Sequence, residues 1–455
     1  MVRSLPEELV RRGHDVRVIV PKYGFADYSE YSGREIFSGL TVTSLGEFRK
    51  VSLELIDVGE IPVYLVGADI FRRADAVYGG NEVEKFWVFC DCVSEAIARL
   101  DWRPEVVHCH DWHTALIPAL ARRHRESYRT VFTIHNIRYQ GYFDEHMLYR
   151  SGIGDAWNEG IPGMPYIPWN LITQGILWAD VISAVSRTFA EEILTAEGGQ
   201  GMQDILQFRK DRLFGIVNGI GCEEYDPASD RLIVANYSYD TFDGKLANRS
   251  ELLKKAGWKQ DSAVPIIGMV SRLDEQKGLD IIVEAIPAIL KELDVKFIFL
   301  GRGSDYYEAA VRGLEKRFPG NIKAFVTFDN ASAHLIYAGS DMFLMPSKWE
   351  PCGLSQMVAM RYGTVPIVRK TGGLADTVSN LNGELKRGSG FMFTPFSAAE
   401  LAGAVKRAVQ AFSDAAAWKK TAQRIMKQDF SWSVPAGKYE LLYGKALGQD
   451  VNETI

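Results

Sequence analysis

Five short apolar runs punctuate the second half of the chain: Val264-Pro265-Ile266-Ile267-Gly268-Met269-Val270, Lys296 to Leu300, Ala324-Phe325-Val326-Thr327, Met342 to Met345 and Val365 to Val368. Each is too short for a helix, and stretches of helical periodicity separate them. Continuous apolar runs of this kind are buried on both faces, and such strands alternating with helices make a parallel sheet covered on each side. The first half repeats the pattern with Val16 to Val20, Glu105-Val106-Val107-His108, Thr130 to Ile134 and Asp180 to Val185; between 41 and 80 it reads as short strands and turns. A chain of 455 residues suits two such α/β domains of about 200 residues each.

One stretch, Pro346 to Thr377, carries the strongest chemical signal. Met342 to Met345 lead into Pro346-Ser347, and Leu354, Met357, Val358 and Met360 then have helical spacing, so Glu350 sits where a strand turns into a helix. Past the run Val365 to Val368, Lys370-Thr371-Gly372-Gly373-Leu374 opens a second helix in the same way. Two helix N-termini whose glycines admit a ligand to free backbone N–H groups suit anionic or polyhydroxylated ligands. A lone Glu after a strand is an ordinary cap and Gly-Gly an ordinary turn; the two in matching context are the more specific signal. Ser271-Arg272-Leu273-Asp274-Glu275-Gln276-Lys277-Gly278 follows another strand and sets a guanidinium fork and an ammonium point charge close together, a pair suited to a diphosphate.

The segments E-P-C-G-L, R-Y-G-T-V-P-I-V-R and K-T-G-G-L resemble the glycogen and starch synthases, which extend α-1,4-glucan from a nucleotide-glucose donor, and the resemblance covers nearly the whole chain. It implies the GT-B fold, two Rossmann-like doubly wound domains facing a cleft: an acceptor-side domain over 1–235, a donor-binding domain over 246–432 and a helix in 433–455 crossing back to the first. It implies transfer of glucose from ADP-glucose or UDP-glucose to the non-reducing end of the glucan with retention of configuration, and no metal or other cofactor. Arg272 and Lys277 would stabilise the departing diphosphate, a role Mg²⁺ has elsewhere. The departing phosphate would accept the incoming proton, and Glu350 would hold a donor-glucose hydroxyl.

The same resemblance assigns further positions. T-I-H-N places His135 and Asn136 in the cleft, with His135 a neutral imidazole at a sugar 6-hydroxyl, its orientation fixed by a backbone partner. In His108-Cys109-His110-Asp111-Trp112-His113, three His and an Asp suggest a metal-dependent hydrolase. Alternate residues after a strand do not converge on one ion, however, and the resemblance makes this an acceptor-side loop: Asp111 meets a sugar hydroxyl and Trp112 stacks on a glucose ring. Asn218 in V-N-G-I lines the cleft, although N-G is also a common turn. Phe328 stacks on the base, although an aromatic after a strand is more often core; apart from the resemblance, Gly301-Arg302-Gly303 after Phe297–Leu300 is a weak G-x-G signal for close approach to a nucleotide. Cys352, Gly353, Leu354, Thr371, Gly372 and Gly373 complete the donor side, Cys352 as an oxidation-sensitive packing residue whose thiol pKa the helix dipole could lower. The Gly-, Trp-, Tyr- and Pro-rich loop from about 139 to 168 is either a sugar-site loop or a packing loop.

Charge and cysteines narrow the partners. A net charge of −6 argues against nucleic acid and acidic membrane surfaces, and no apolar run approaches the ~18 residues of a membrane span. Five cysteines without a C-x-x-C pair suggest neither a disulfide framework nor a thiolate zinc site, which points to a reducing cytoplasm. The chain opens on a helix with Val2, Leu5 and Leu9 on one face, where this family carries a strand ending in K-x-G-G-L, so a first domain lacking its first strand and glycine loop is the expectation. Two rivals remain: a same-fold transferase with another acceptor, such as sucrose or a lipid sugar, and a catalytically silent glucan-binding protein.

Overall fold

The computed structural model describes residues 1–153, 167–260 and 264–450. The chain divides into two compact units, one of Met1–Ile216 with Trp432–Ile455 and one of Val217–Ser431. This moves the expected boundary near 235 back to the V-N-G-I turn. The polar segment from Asp226 to Asn248, which reads from sequence as the connection between the domains, packs into the second unit: Tyr237 donates its hydroxyl to the Tyr362 carbonyl at 2.8 Å, and Asp230 accepts from the Tyr362 hydroxyl at 2.6 Å.

The first unit holds two four-stranded sheets. Strands β1 (Val18–Pro21), β2 (Arg34–Ser44), β3 (Glu47–Val58) and β4 (Ile61–Gly67) lie in the order β1-β4-β3-β2, with β1 parallel to β4 and the rest antiparallel. Strands β5 (Val106–His110), β6 (Arg129–Ile134), β7 (Val181–Ala184) and β8 (Leu213–Gly215) form a parallel sheet in chain order. The long β2–β3 ribbon replaces the short strands expected between 41 and 80. Its two-residue turn, Leu45-Gly46, has positive φ at both positions (50° and 74°), the backbone twist that tight hairpins require.

The helix Ser4–Arg11 buries Leu5 and Leu9, an i, i+4 pair, in a core with Val131, Val181 and Ile216 and with Ala436, Tyr439 and Leu442 of the helix Ser433–Ala446. At roughly 1.5–3 kcal/mol per fully buried large apolar side chain, this core is a major support of the first unit. Arg12 adds an ion pair to Glu440 at 2.6 Å, and His14 Nε2 hydrogen-bonds the other oxygen of that carboxyl group at 2.8 Å.

The second unit is built on one six-stranded parallel sheet of β9 (Ile266–Val270), β10 (Lys296–Leu300), β11 (Ile322–Phe325), β12 (Met342–Met345), β13 (Val365–Arg369) and β14 (Phe391–Phe393). Its order is β11-β10-β9-β12-β13-β14. The apolar runs became strands because both faces are covered: β12 is buried at all four positions and β9 at four of five. No described helix is long and apolar enough to cross a membrane.

Candidate functional site

The strand order of the second unit runs outward in both directions from its first strand, so the direction of winding reverses between β9 and β12. Chains leaving the carboxyl ends of two such neighbours diverge to opposite faces, and ligands of doubly wound sheets bind there. The sequence places Arg272 and Lys277 after β9 and Glu350 after β12. The structure joins them: the Lys277 ammonium donates to Glu350 Oε2 at 2.6 Å, and the Ser347 hydroxyl donates to the same oxygen at 2.9 Å. Glu350 is only 6% exposed. Its Oε1 makes no hydrogen bond among the described residues, which leaves one carboxylate oxygen for a ligand hydroxyl. Lys277 spends one of three N–H bonds on Glu350.

Arg272 lies half exposed between Asp274 Oδ2 at 3.4 Å and Gln276 Oε1 at 3.4 Å. Around this pair the two loops interlock. The Lys348 N–H donates to the Gln276 carbonyl at 2.8 Å, Lys348 Nζ reaches Glu275 at 2.6 Å, and Arg369 Nε donates to the Ser347 carbonyl at 2.9 Å. Ser347, Gln276 and Arg369 are supporting residues that sequence reasoning missed; only their neighbours' positions across the sheet reveal them.

The glycines after β13 also have a packing task that the sequence did not show. A Cβ on Gly372, whose φ is +43°, would sit 2.0 Å from the Glu350 carbonyl oxygen, and one on Gly373 would sit 1.9 Å from that of Cys352. The Gly373 N–H also donates to the Glu350 carbonyl at 3.0 Å. These glycines therefore let the backbone carrying Glu350 lie against the next turn, rather than leaving both N–H groups open to a ligand. Thr371 is buried at the start of the six-residue helix Gly372–Thr377. Gly301 and Gly303 are likewise filled by the Ser271 and Leu273 carbonyls, not held open for a nucleotide.

Cys352 is buried, and burial pushes its thiol up to about 12, against the Asn218 N–H that faces the sulfur. The expected lowering fails because the helix Ser355–Arg361 begins three residues further on and desolvation dominates. Gly353 takes φ +69°, and Leu354 is about half exposed. Asn218 is 8% exposed and its side-chain Oδ1 is buried without a partner among the described residues. A buried amide oxygen without a donor costs about 1–3 kcal/mol, which a ligand hydroxyl would recover. Phe328, beyond β11, is 80% exposed, so it is not a core residue.

In the first unit the H-C-H-D-W-H run spreads its side chains apart. His108 lies on β5 between the Tyr443 hydroxyl (3.0 Å) and the Thr133 hydroxyl (2.6 Å), while His110 Nδ1 lies 3.2 Å from His135 Nε2. Among the described residues no three His, Cys, Asp or Glu side chains are grouped to hold a metal ion. Asp111, at φ +54°, accepts from the His135 N–H at 2.7 Å and the Asn136 N–H at 3.3 Å through Oδ1. It fixes the turn after β6, and burial raises its carboxyl to about 7 against those two bonds.

Burial also lowers His135 to about 4, so the ring is neutral near pH 7; its ring partner is His110 rather than the expected backbone group. Asn136 turns its Oδ1 to the Arg138 N–H at 3.2 Å. Trp112 corrects the sequence reading: it is 4% exposed, stacked on His113 at 4.3 Å and edge-on to Phe86 at 5.1 Å, with Gly141 against the ring. It belongs to the packing beneath the loop, not to a sugar platform. Of the loop from 139 to 168, residues 154–166 lie outside the described residues.

Comparison with known proteins matches these two units to two family models, the starch synthase catalytic domain over residues 1–208 and glycosyl transferases group 1 over 250–425. The chain is 42% identical to glycogen synthase 2 of Geobacter sulfurreducens over 97% of its length and 94% of that protein. It is 40% identical to the glycogen synthase of Thermosipho africanus over 99% and 95%. Among solved structures it is similar to the catalytic domain of starch synthase IV from Arabidopsis thaliana bound to ADP and acarbose (TM-score 0.89, 31% identity, 98% and 95% covered). Sucrose-phosphate synthase from Thermosynechococcus elongatus shares the fold at 17% identity (TM-score 0.60, 98% and 92% covered). With its two α/β units and a carboxylate–ammonium pair at the switch point of the second, the chain belongs to the glycogen and starch synthase family of GT-B glycosyltransferases.

Proposed function

We propose that this chain transfers glucose from ADP-glucose to the non-reducing end of an α-1,4-glucan, with retention at the anomeric carbon and without a metal ion. The observation that carries the reading is the Lys277–Glu350 pair with Ser347, set where the sheet order reverses and flanked by the orphaned Asn218 amide oxygen. Lys277 and Arg272 supply positive charge to the diphosphate as the glycosidic oxygen leaves, and Glu350 Oε1 accepts from a hydroxyl of the donor glucose. The anomeric C–O bond to phosphate breaks while the acceptor oxygen approaches the same face, and the leaving phosphate oxygen takes the acceptor's proton. No carboxylate attacks carbon in this scheme.

In the first unit, a neutral His135 held by His110 and by the Asp111-braced turn serves as a hydroxyl partner of the sugar. ADP is the preferred leaving group in this reading, supported by the ADP-bound starch synthase neighbour at 31% identity. Exposed Phe328 offers its ring to the base.

The test is nucleotide release from ADP-glucose and UDP-glucose, with and without glycogen and with and without EDTA. Glycogen-dependent, EDTA-resistant ADP release supports the proposal. Glycogen binding without release from either donor, or activity lost to EDTA and restored by a divalent metal, overturns it.

A further inference from the structure

A second site lies in the first unit, away from the residues assigned to transfer. The tip of the β2–β3 ribbon rests against the helices Glu82–Ile97 and Ile117–His124 and leaves a cavity of about 210 Å³ lined by Leu45, Trp87, Asp91, Ser94, Glu95 and Arg123. This is below the ~300 Å³ at which pockets for drug-sized ligands begin, so it fits one small ring. Leu45, at the ribbon's turn, holds φ +50°, an uncommon backbone state for a branched residue, and is itself buried at the cavity wall.

The polar groups of this wall are not used up by the fold. Asp91 Oδ2 accepts from the buried Ser44 hydroxyl at 2.6 Å, while Oδ1 has no hydrogen bond among the described residues. The Arg123 guanidinium makes no ion pair or hydrogen bond among them, though its charge acts on Asp91. Ser94 pairs with His124 Nδ1 at 3.2 Å, and Glu95 is tied to Arg99. The open Oδ1 of the Asp91 carboxyl group and a guanidinium donor beside an apolar wall match a neutral ring with vicinal hydroxyls: a hydroxyl can donate to Oδ1 and accept from the guanidinium, and the C–H face covers leucine. An anion would meet Asp91 and Glu95, and a cation would meet Arg123.

We propose that this cavity binds a single pyranose unit, supplied either as a free hexose or as one residue of a glucan chain. The choice of glucose-based probes rests on the glucosyl-transfer reading; the binding readout does not depend on turnover. Amide hydrogen exchange of the whole protein is measured with glucose, with maltotriose and with inorganic phosphate. Protection of residues 42–46 and 87–95 by glucose assigns a free hexose, and protection by maltotriose alone assigns a glucan residue.

The exposed Arg123→Gln substitution should weaken that protection about tenfold or more, the scale of one charge-assisted hydrogen bond, while leaving nucleotide release at saturating donor and glycogen unchanged. Asp91→Asn, which keeps the shape of the side chain, should weaken it as well. The proposal is overturned if neither sugar protects these segments, if phosphate alone protects them, or if Arg123→Gln and Asp91→Asn bind like the parent.

Discussion

Removing Lys277 tests the central pair in two independent ways. Its side chain is 16% exposed and that of Glu350 7%, and they meet at 2.6 Å. Lys277→Ala strands a buried carboxylate whose remaining partner is the Ser347 hydroxyl, a loss of about 3–5 kcal/mol. At ~2–4 °C per kcal/mol for a unit of this size, the melting transition of the second unit should fall by roughly 6–20 °C. Glu350→Gln keeps the shape and an amide oxygen that can accept from Lys277, removing only the counter-charge of the more accessible ammonium, so it should lose about 1–3 kcal/mol. The double variant should be more stable than Lys277→Ala alone, because the stranded charge is gone. Activity should behave differently, with kcat falling about 10²-fold or more in all three and no recovery in the double variant. Calorimetry and nucleotide release on the same preparations give both numbers. A Lys277→Ala protein melting within ~1 °C of the parent, or strictly additive stabilities, refutes the buried pair; parental rates in either single variant refute its role in transfer.

Three further outcomes follow. Gly372→Ala drives a methyl group into the Glu350 carbonyl and should cost several kcal/mol in urea denaturation, whereas Gly313→Ala, in the helix Asp305–Arg317 with open space around it, should gain about 0.5–1 kcal/mol; equal effects would refute the packing argument. Cys352, pushed up by burial to about 12, should resist iodoacetamide at pH 8 in the native protein and react once unfolded, as mass spectrometry of the labelled peptide would show. Burial lowers His108 to about 3, His113 and His135 to about 4 and His110 well below its usual 6.5, so between pH 6.5 and 4 the unfolded chain takes up protons that the folded unit does not. Asp91 and Asp111, raised to about 7, act in the opposite sense but are fewer, so the first unit should lose stability from pH 7 to pH 5 in thermal melts; a rise would contradict it.

The second unit was legible because its strands are buried on both faces and its loops carry chemistry at strand ends. Strand-turn-helix context placed Glu350, Arg272 and Lys277 at strand ends, and the family resemblance supplied the roles expected of them. What stayed hidden depends on neighbours distant in the chain. Trp112 reads as a sugar platform until Phe86, His113 and Gly141 close around it, and Cys352 reads as dipole-activated until its burial is seen. Gly372 and Gly373 signal a special backbone, but the reason, the Glu350 and Cys352 carbonyls beneath them, is a packing fact. The β2–β3 ribbon was broken into pieces by its alternation of apolar and charged residues, and β14, only three residues long, left no pattern to find.

The first unit is closed by the helix Ser433–Ala446, which follows the whole second unit in sequence, and this bears on the order in which a ribosome can deliver it. Leu5, Leu9, Val131, Val181 and Ile216 emerge early, yet Ala436, Tyr439 and Leu442, which complete their core, follow only after the whole of Val217–Ser431 has been made. At ~5–20 residues per second that interval is on the order of 10–40 s, far longer than a domain needs to fold. The second unit, contiguous in sequence, can finish first. Through that interval the nascent first unit carries an uncovered apolar face, the state in which it is most exposed to misassembly and to chaperone capture.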